Sequence, residues 1–353
     1  MRKKLKKLLD ENPVKKFVTR QEEEGDSGAR ITNETLSAHR EEVLSTARKY
    51  IYPLKHSKHR IVVISTTLFL AAIVTFFSYC LLALYRFQSS STFLYRVTQV
   101  VPFPVARDGS TFIAYENYLF ELRRYTHYYV TQQQLDIKSE SGQQQLAEFK
   151  KRALDKVIND ALVKQLAAKN SVTVADQEVN DTITILRQQN RLGSNDKAFE
   201  DVLKEYWNWS AGDFRRSLKQ QLLAQKLVSR LDTETHAKAE AALQKLKQGA
   251  DFATVAKEVS EDPSTKPAGG DFGMLIDKNN RDIAPQTVEA LFKLQPGQFS
   301  EVINVGYGLE IVKTTEFSDQ KARGAHILFN FKDLDTYLDE LKDARKARFY
   351  IKI

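Results

Sequence analysis

The sequence predicts an α+β protein with a single N-terminal transmembrane helix, an all-α domain, and a domain that combines helices with a small antiparallel sheet. Three observations predict this class. Residues 61–85 form an uncharged apolar segment, and apolar residues recur at helical spacing through residues 113–246. Glycine-rich turns and short apolar runs then follow residue 249. A chain of 353 residues has room for two or three domains.

The basic charge of the chain is concentrated in an N-terminal tail, residues 1–60. This tail holds 15 Lys/Arg against 9 Asp/Glu and so supplies +6 of the net charge of +8. We predict a cytoplasmic, largely disordered tail that sets topology and contacts the membrane, with a short amphipathic helix over 35–50. Nucleic-acid binding is the minor interpretation of such a tail, and we predict no nucleic-acid partner.

The segment from Ile61 to Tyr85 has 25 residues without a charge, whereas about 20 suffice to cross a bilayer. It is longer than the apolar part of a signal peptide and begins farther from the N-terminus. Five Lys/Arg lie in residues 45–60, against three in the 25 residues after the segment. This bias predicts a single-pass helix with a cytoplasmic N-terminus and residues 86–353 outside the cytoplasm.

Residues 86–112 are predicted to be a linker because they are rich in Ser near residue 90 and contain Pro102 and Pro104. Residues 113–232 are predicted to be helical, because their apolar side chains recur every three or four residues. Asn190 to Gly193 interrupts this pattern, and Ser210 with Asp213 predicts a capped helix start. By pattern alone, these stripes fit any helical bundle.

The residues give no sign of a cofactor or a metal. Cys80 is the single cysteine, so no intrachain disulfide can form. The six histidines lie far apart in the sequence, with no metal-ligand spacing, and no nucleotide-binding or serine-hydrolase motif is present. We therefore predict no cofactor and no metal.

A glycine-rich motif, Gly269-Gly270-Asp271-Phe272-Gly273, follows an apolar helix pattern over 251–259. After it come Ala290–Ser300 and Gly306–Val312. In order and spacing these segments resemble the parvulin family of peptidyl-prolyl isomerases. The helical segments ahead of them resemble the chaperone domain of SurA-like and PrsA-like folding factors; they are 162–170, 174–179 and 218–226.

The strand that usually opens a parvulin domain is missing from its place, and a similar run, Arg323–Leu328, occurs after the domain. We predict that Leu309–Thr315 is the last family strand and that residues 318–322 turn the chain back. Residues 324–331 then fill the first-strand position, giving a circularly permuted domain over 233–332. A truncated second parvulin repeat is the rival interpretation. Residues 333–353 are predicted to form a helix and a short strand.

The resemblance implies two sets of site residues. It implies catalytic roles for His326, Asp262 and Glu310 and substrate contacts for Phe272, Ile283 and Thr287. Two positions depart from the family pattern, because Thr287 stands where a pocket phenylalanine is usual and Glu310 stands where a second histidine is usual. A structural histidine at 326 and a loop-capping role for Asp262 are the alternatives.

Together these features predict a membrane-anchored peptidyl-prolyl isomerase and foldase of the bacterial cell envelope. Its partners would be unfolded or proline-containing polypeptides and, through Ile61–Tyr85, the lipid bilayer. The alternative is a holdase chaperone on a catalytically degenerate parvulin scaffold. A purely structural envelope anchor fits the apolar span but leaves the parvulin resemblance unexplained. The sequence assigns no oligomeric state.

Overall fold

A computed structural model of the chain describes residues 32–51, 54–109, 111–189, 191–193, 195–344 and 347–352. The chain divides into two units, residues 1–79 and residues 80–353. In the first unit, helix α1 spans Asn33–Ile51 and helix α2 begins at Leu54. Helix therefore covers most of 32–60, where the sequence predicted a largely disordered tail with one short helix. Residues 1–31 lie outside the described residues.

Helix α2 (Leu54–Leu81) continues into a π-helical turn, Leu82–Arg86. From Arg60 to Arg86 it is long and apolar enough to cross a membrane. Its last residues belong to the second unit, where Cys80 and Leu84 are fully buried. The candidate span Arg60–Arg86 covers the predicted 61–85, and the crossing of a membrane stays a prediction. An apolar run alone does not distinguish side chains that face lipid from those that enter a protein core.

The second unit contains a helical region, residues 80–232 and 333–352. Its helices are α3 (Thr92–Val100), α4 (Tyr115–Thr131), α5 (Glu140–Lys169), α6 (Asp176–Gln188), α7 (Asp196–Trp207), α8 (Ala211–Leu231) and α12 (Leu334–Ala344). Tyr115, Tyr118, Phe149 and Leu162 are buried where α4 packs on α5. The helices predicted between 113 and 232 are all present, and Ser210 and Asp213 form the predicted capping box.

The prediction of a linker over 86–112 is wrong, because these residues form a helix and most of two paired strands. Ser91 caps helix α3 by accepting a hydrogen bond from the Leu94 amide, and Leu94 is fully buried. Strands β1 (Pro104–Asp108) and β2 (Thr111–Ala114) form an antiparallel hairpin, and β6 (Arg348–Phe349) pairs with β1. Strands this short show no clear alternation, and one of them comes from the opposite end of the sequence.

Residues 233–332 form a sheet region with three helices, α9 (Thr233–Lys247), α10 (Phe252–Val259) and α11 (Pro285–Lys293). Its antiparallel sheet has the order β3 (Ile303–Asn304), β4 (Gly308–Ser318) and β5 (Lys321–Asn330). Successive side chains of a strand point to opposite faces. Accordingly, Ile311 packs in the cluster that contains residues of α9 and α10, and Val312 packs in the cluster that contains residues of α11.

Strands β4 and β5 form a long hairpin with a two-residue turn at Asp319 and Gln320, whose φ angles are 49° and 63°. Positive φ at both central residues matches the twist of paired strands and gives a tight turn. The sequence predicted a longer loop over 318–322, whereas Ser318 and Lys321 are already paired on either side of the turn. Strand β4 is longer than the predicted 309–315.

The chain passes from the helical region to the sheet region at Asp232 and returns at Lys332. Asp232 is 1% exposed, and its carboxylate joins both crossings. It accepts hydrogen bonds from the Thr235 amide (3.2 Å), the Thr235 hydroxyl (2.9 Å) and the Lys332 amide (2.8 Å). After the return, α12 packs against α5 and α8. The predicted C-terminal helix is therefore present, and the predicted strand is limited to 348–349.

Candidate active site

The loop after helix α10 runs beside strand β5 and brings Asp262 to His326. The Glu261 amide donates to the Leu328 carbonyl (2.7 Å), and the Leu328 amide donates to the Ser260 hydroxyl (3.2 Å). These bonds hold the loop in extended conformation along the strand. Two predicted site residues, 64 positions apart in sequence, are therefore in contact.

The imidazole of His326 lies between two carboxylates. Its Nε2 atom is 2.9 Å from Oδ2 of Asp262, and its Nδ1 atom is 3.3 Å from Oε1 of Glu310. The Thr265 hydroxyl lies 3.0 Å from the same Nε2 and donates to Asp262 (2.6 Å). A neutral imidazole carries one N–H, whereas an imidazolium presents one to each side. An acid on each side therefore fits the charged form.

The electrostatics of His326 favour that charged form. Burial alone would lower the pKa of His326, but Glu310, and then Asp262, outweigh burial and raise the pKa above its usual value. Burial would raise the pKa of Asp262, but hydrogen bonds from Thr265, Ser264 and His326 hold it well below its usual range. The surroundings of the site therefore favour the imidazolium form of His326 beside an ionised Asp262.

Glu310 is 1% exposed and receives two hydroxyl hydrogen bonds. Thr287 donates to its Oε2 atom (2.6 Å), and Tyr307 donates to its Oε1 atom (3.2 Å). Burial and the nearby carboxylate of Glu310 raise the pKa of Tyr307, so its hydroxyl stays protonated and can donate. Thr287 is fully buried. The structure therefore places Thr287 beneath the site as a partner of Glu310, whereas the resemblance implied a contact with substrate.

The Gly269-Gly270 turn packs directly against strand β5. Both glycines have positive φ, 70° and 85°, and a Cβ on Gly270 would lie 2.2 Å from the His326 carbonyl oxygen. Only glycine accepts both this backbone conformation and this close approach. The His326 amide donates to the Gly270 carbonyl (2.9 Å), and the turn then brings the Phe272 ring to 4.6 Å from the imidazole.

Phe272 and Ile283 are half-buried and pack against the apolar cluster under helix α11. Met274 and Leu275, next along the chain from Phe272, are 42% and 43% exposed. Our sequence reasoning missed Thr265 and Tyr307 as site residues. Tyr307 lies inside the Gly-Tyr-Gly segment of the resemblance, which could have indicated it, but nothing in the pattern marks Thr265. Among the described residues, no group of His, Cys, Asp and Glu is placed to hold a metal ion.

Comparison with known families identifies two domains that fit this geometry. Residues 222–316 match the PPIC-type peptidyl-prolyl isomerase (PPIase) domain, and residues 55–228 match the SurA-like N-terminal domain. The chain therefore combines a SurA-like N-terminal domain with a PPIC-type, or parvulin, PPIase domain. Both resemblances predicted from the sequence are confirmed. The isomerase match ends within β4, so His326 on β5 lies beyond it.

The similar curated proteins are bacterial folding factors. The chain is 28% identical over 192 residues to Foldase protein PrsA of Caldanaerobacter subterraneus subsp. tengcongensis, covering 49% of this chain and 59% of that protein. It is 28% identical over 198 residues to Foldase protein PrsA of a Geobacillus species, covering 49% and 67%. It is 34% identical over 134 residues to Chaperone SurA of Yersinia pestis bv. Antiqua, covering 35% and 29%. The chain thus spans about three fifths of the first PrsA relative and under a third of the SurA relative.

Proposed function

We propose that the protein is a membrane-anchored peptidyl-prolyl isomerase and foldase that acts outside the cytoplasm on secreted or envelope proteins. One observation carries the proposal: in the sheet region, which contains most of the PPIC-type match, His326 lies between Asp262 and Glu310 with its ring against Phe272. Rotation about an X–Pro bond needs no covalent step, and its barrier is about 18–20 kcal/mol. A preorganised site that prefers the twisted amide is sufficient to accelerate it.

The proline ring of a client is proposed to rest against Phe272 and Ile283, with Met274 and Leu275 extending the apolar surface. Contact with these side chains removes water from the prolyl amide, which favours the twisted form with less double-bond character. His326 has a side chain only 8% exposed, so its role is to orient Asp262 and to support Phe272. Asp262, at 17%, is the more accessible member of that pair and faces the amide.

We also propose that the PPIase domain is circularly permuted, with β5 as the displaced first strand. Three contacts support this: the full-length pairing of β5 with β4, the extended loop that carries Asp262, and the Gly270 turn against His326. The rival interpretation is a truncated second repeat. Such a repeat is not expected to complete the site of the first domain.

The location is proposed from the apolar helix and the charges around it. Arg60–Arg86 is long and apolar enough to span a bilayer, and Lys/Arg residues are more frequent before it than after it. This bias favours a cytoplasmic N-terminus and an extracytoplasmic body. Relatives named foldase and chaperone support polypeptide clients, and a reaction without ATP suits that side of the membrane.

One observation favours a second function, that of a holdase chaperone. Glu310 and Thr287, the two residues that depart from the family pattern, are buried and hydrogen-bonded to each other. They therefore offer no polar group to a bound amide. In that case the domain binds extended chains without accelerating isomerisation.

The test uses the full-length chain in detergent micelles with a panel of X–Pro peptides. We expect wild type to accelerate cis–trans exchange, and we expect His326→Ala and Asp262→Asn to lower kcat/KM by about tenfold to a hundredfold. The control is Glu258→Gln, on the exposed face of helix α10, which should leave kcat/KM unchanged. A folded wild type that suppresses client aggregation but never accelerates exchange would support the holdase instead.

A further inference from the structure

Arg191 reaches from the helical region to the loop that precedes α11 in the sheet region. This loop comprises residues 277–284. The guanidinium donates to three of its carbonyl groups, those of Asn280 (2.7 Å), Arg281 (3.2 Å) and Ile283. A planar fork of donors reaches several acceptors at once, which a lysine cannot reproduce.

Gln189 completes this contact. Its side-chain amide donates to the Pro285 carbonyl (2.8 Å), and its Oε1 atom accepts from Nε of Arg191 (2.9 Å). Gln189 is 6% exposed, so these bonds are shielded from water and fix the side chain in one orientation. We name the pair Gln189 and Arg191 the clasp.

The clasped loop makes its own internal bonds through the Asn280 side chain. The Oδ1 atom of Asn280 accepts from the amides of Asp282 and Ile283, both at 3.0 Å. These bonds set the local turn, whereas the carbonyl groups that Arg191 binds point to the helical region. The clasp therefore fixes where the loop sits, and the internal bonds fix its shape.

The position of this loop determines where two of the site residues lie. Ile283 lies in the loop itself, and Thr287 lies in the first turn of α11, where it donates to Glu310. We propose that Arg191, oriented by Gln189, is a positioning residue for the proline site: the helical region holds the loop that presents Ile283 to the substrate. This proposal rests on the proposed isomerase function and deepens it, because it makes the SurA-like region part of the site.

The test measures saturation kinetics on an X–Pro peptide with the full-length chain in detergent. The proline ring keeps its shape as the amide rotates, so its proposed contact with Ile283 contributes to binding in the ground state as well as in the transition state. We therefore expect Arg191→Ala to raise KM by about fivefold to tenfold with kcat changed less than about twofold. Arg191→Lys should fall between wild type and Arg191→Ala. A merely structural defect would instead lower kcat, through a smaller active fraction, at unchanged KM.

Arg187→Ala is the matched control. Arg187 lies in the last turn of α6, four residues before Arg191 in the sequence, and pairs with Asp196 (2.7 Å) within the helical region. Its removal takes away the same charge from a neighbouring position, and we expect KM and kcat to stay at wild-type values. An unchanged KM in Arg191→Ala, or an equal change in Arg187→Ala, would overturn the proposal.

Binding of the same peptide, labelled with a fluorophore, separates this proposal from the proposed function. If wild type binds the peptide without turning it over, the isomerase function fails, and an approximately tenfold weaker binding by Arg191→Ala still supports the clasp. If turnover is normal and both chains bind equally, the clasp fails alone. If wild type neither binds nor turns over the peptide, both proposals fail.

Discussion

The helical region and the sheet region arrange their buried charged side chains differently: Glu121 in the helical region pairs with Arg124 of the same helix, whereas His326 and Glu310 in the sheet region form one site with Asp262. Where α4 meets α5, the interior consists of aromatic and aliphatic groups, such as Tyr118 and Phe149, and the ion pair of Arg216 with Glu116 lies at the periphery. The sheet region instead has two smaller apolar clusters and buries His326 and Glu310. The difference indicates that apolar packing in the helical region stabilises the fold. In the sheet region, part of the interior is occupied by a charged site instead.

The largest effect is expected when a buried side chain of the helical core is truncated. Phe149 is fully buried, with its ring 4.6 Å from that of Tyr129. Phe149→Ala should lower the free energy of unfolding by about 3–5 kcal/mol, because the cavity cannot close around the lost ring. Urea unfolding measures the loss. Phe112→Ala, at a site 61% exposed, is the control and should change it by less than about 0.5 kcal/mol. A loss below about 1 kcal/mol for Phe149→Ala would contradict this account of the core.

A smaller effect is expected at the junction of the two regions. Asp232→Ala should cost about 1–3 kcal/mol, because the Thr235 and Lys332 amides lose a buried acceptor. Amide exchange should quicken at both crossings of the chain. The control is Asp251→Ala, which removes a comparable cap from α10 but touches one segment only. Faster exchange at Thr235 with no change at Lys332 would show that Asp232 does not join the crossings.

The smallest expected effect is on the pH dependence of stability. The pKa of His326 is raised by folding, so the stability from its charged form is complete below about pH 6.5. That stability is lost as pH rises through the higher pKa of the folded state. The depressed pKa of Asp262 acts on the acid side, where stability is lost as pH falls through its folded pKa.

Glu310→Gln isolates the basic limb of this profile. The amide keeps a partner for the Thr287 hydroxyl but removes the charge beside Nδ1 of His326, so the loss of stability should move to lower pH. Thermal unfolding from pH 5 to pH 9 and NMR titration of the His326 ring measure the two effects. An identical ring titration in the variant would contradict the assigned role of Glu310.

Much of the fold follows from local patterns in the sequence. Helices α4 to α8 have clear apolar stripes, and the capping box at Ser210 marks the start of α8. His326 and Asp262 were predicted as site residues through resemblance, and the structure brings them together. Their contact depends on β5 pairing with β4, which the order of apolar segments already favours.

Other features have no local signal. The pairing of β6 with β1 joins opposite ends of the chain, and such a contact leaves no periodicity in either segment. The burial of Thr287 against Glu310 depends on the position of α11, which Arg191 fixes from another region. The serines near residue 90 and Pro104 predict a linker by composition, although they begin a helix and a strand. Composition does not distinguish a cap from a loop.

The most direct test of the central claim compares two phenylalanines, one from each region, in the full-length chain. Phe272→Ala should lower kcat/KM on X–Pro peptides by about tenfold or more, because a contact with the proline ring is lost. Its free energy of unfolding should change by about 1 kcal/mol. Phe149→Ala should leave kcat/KM per folded molecule close to wild type despite its large loss of stability. The reverse result, normal turnover in Phe272→Ala and lost turnover in folded Phe149→Ala, would contradict the account.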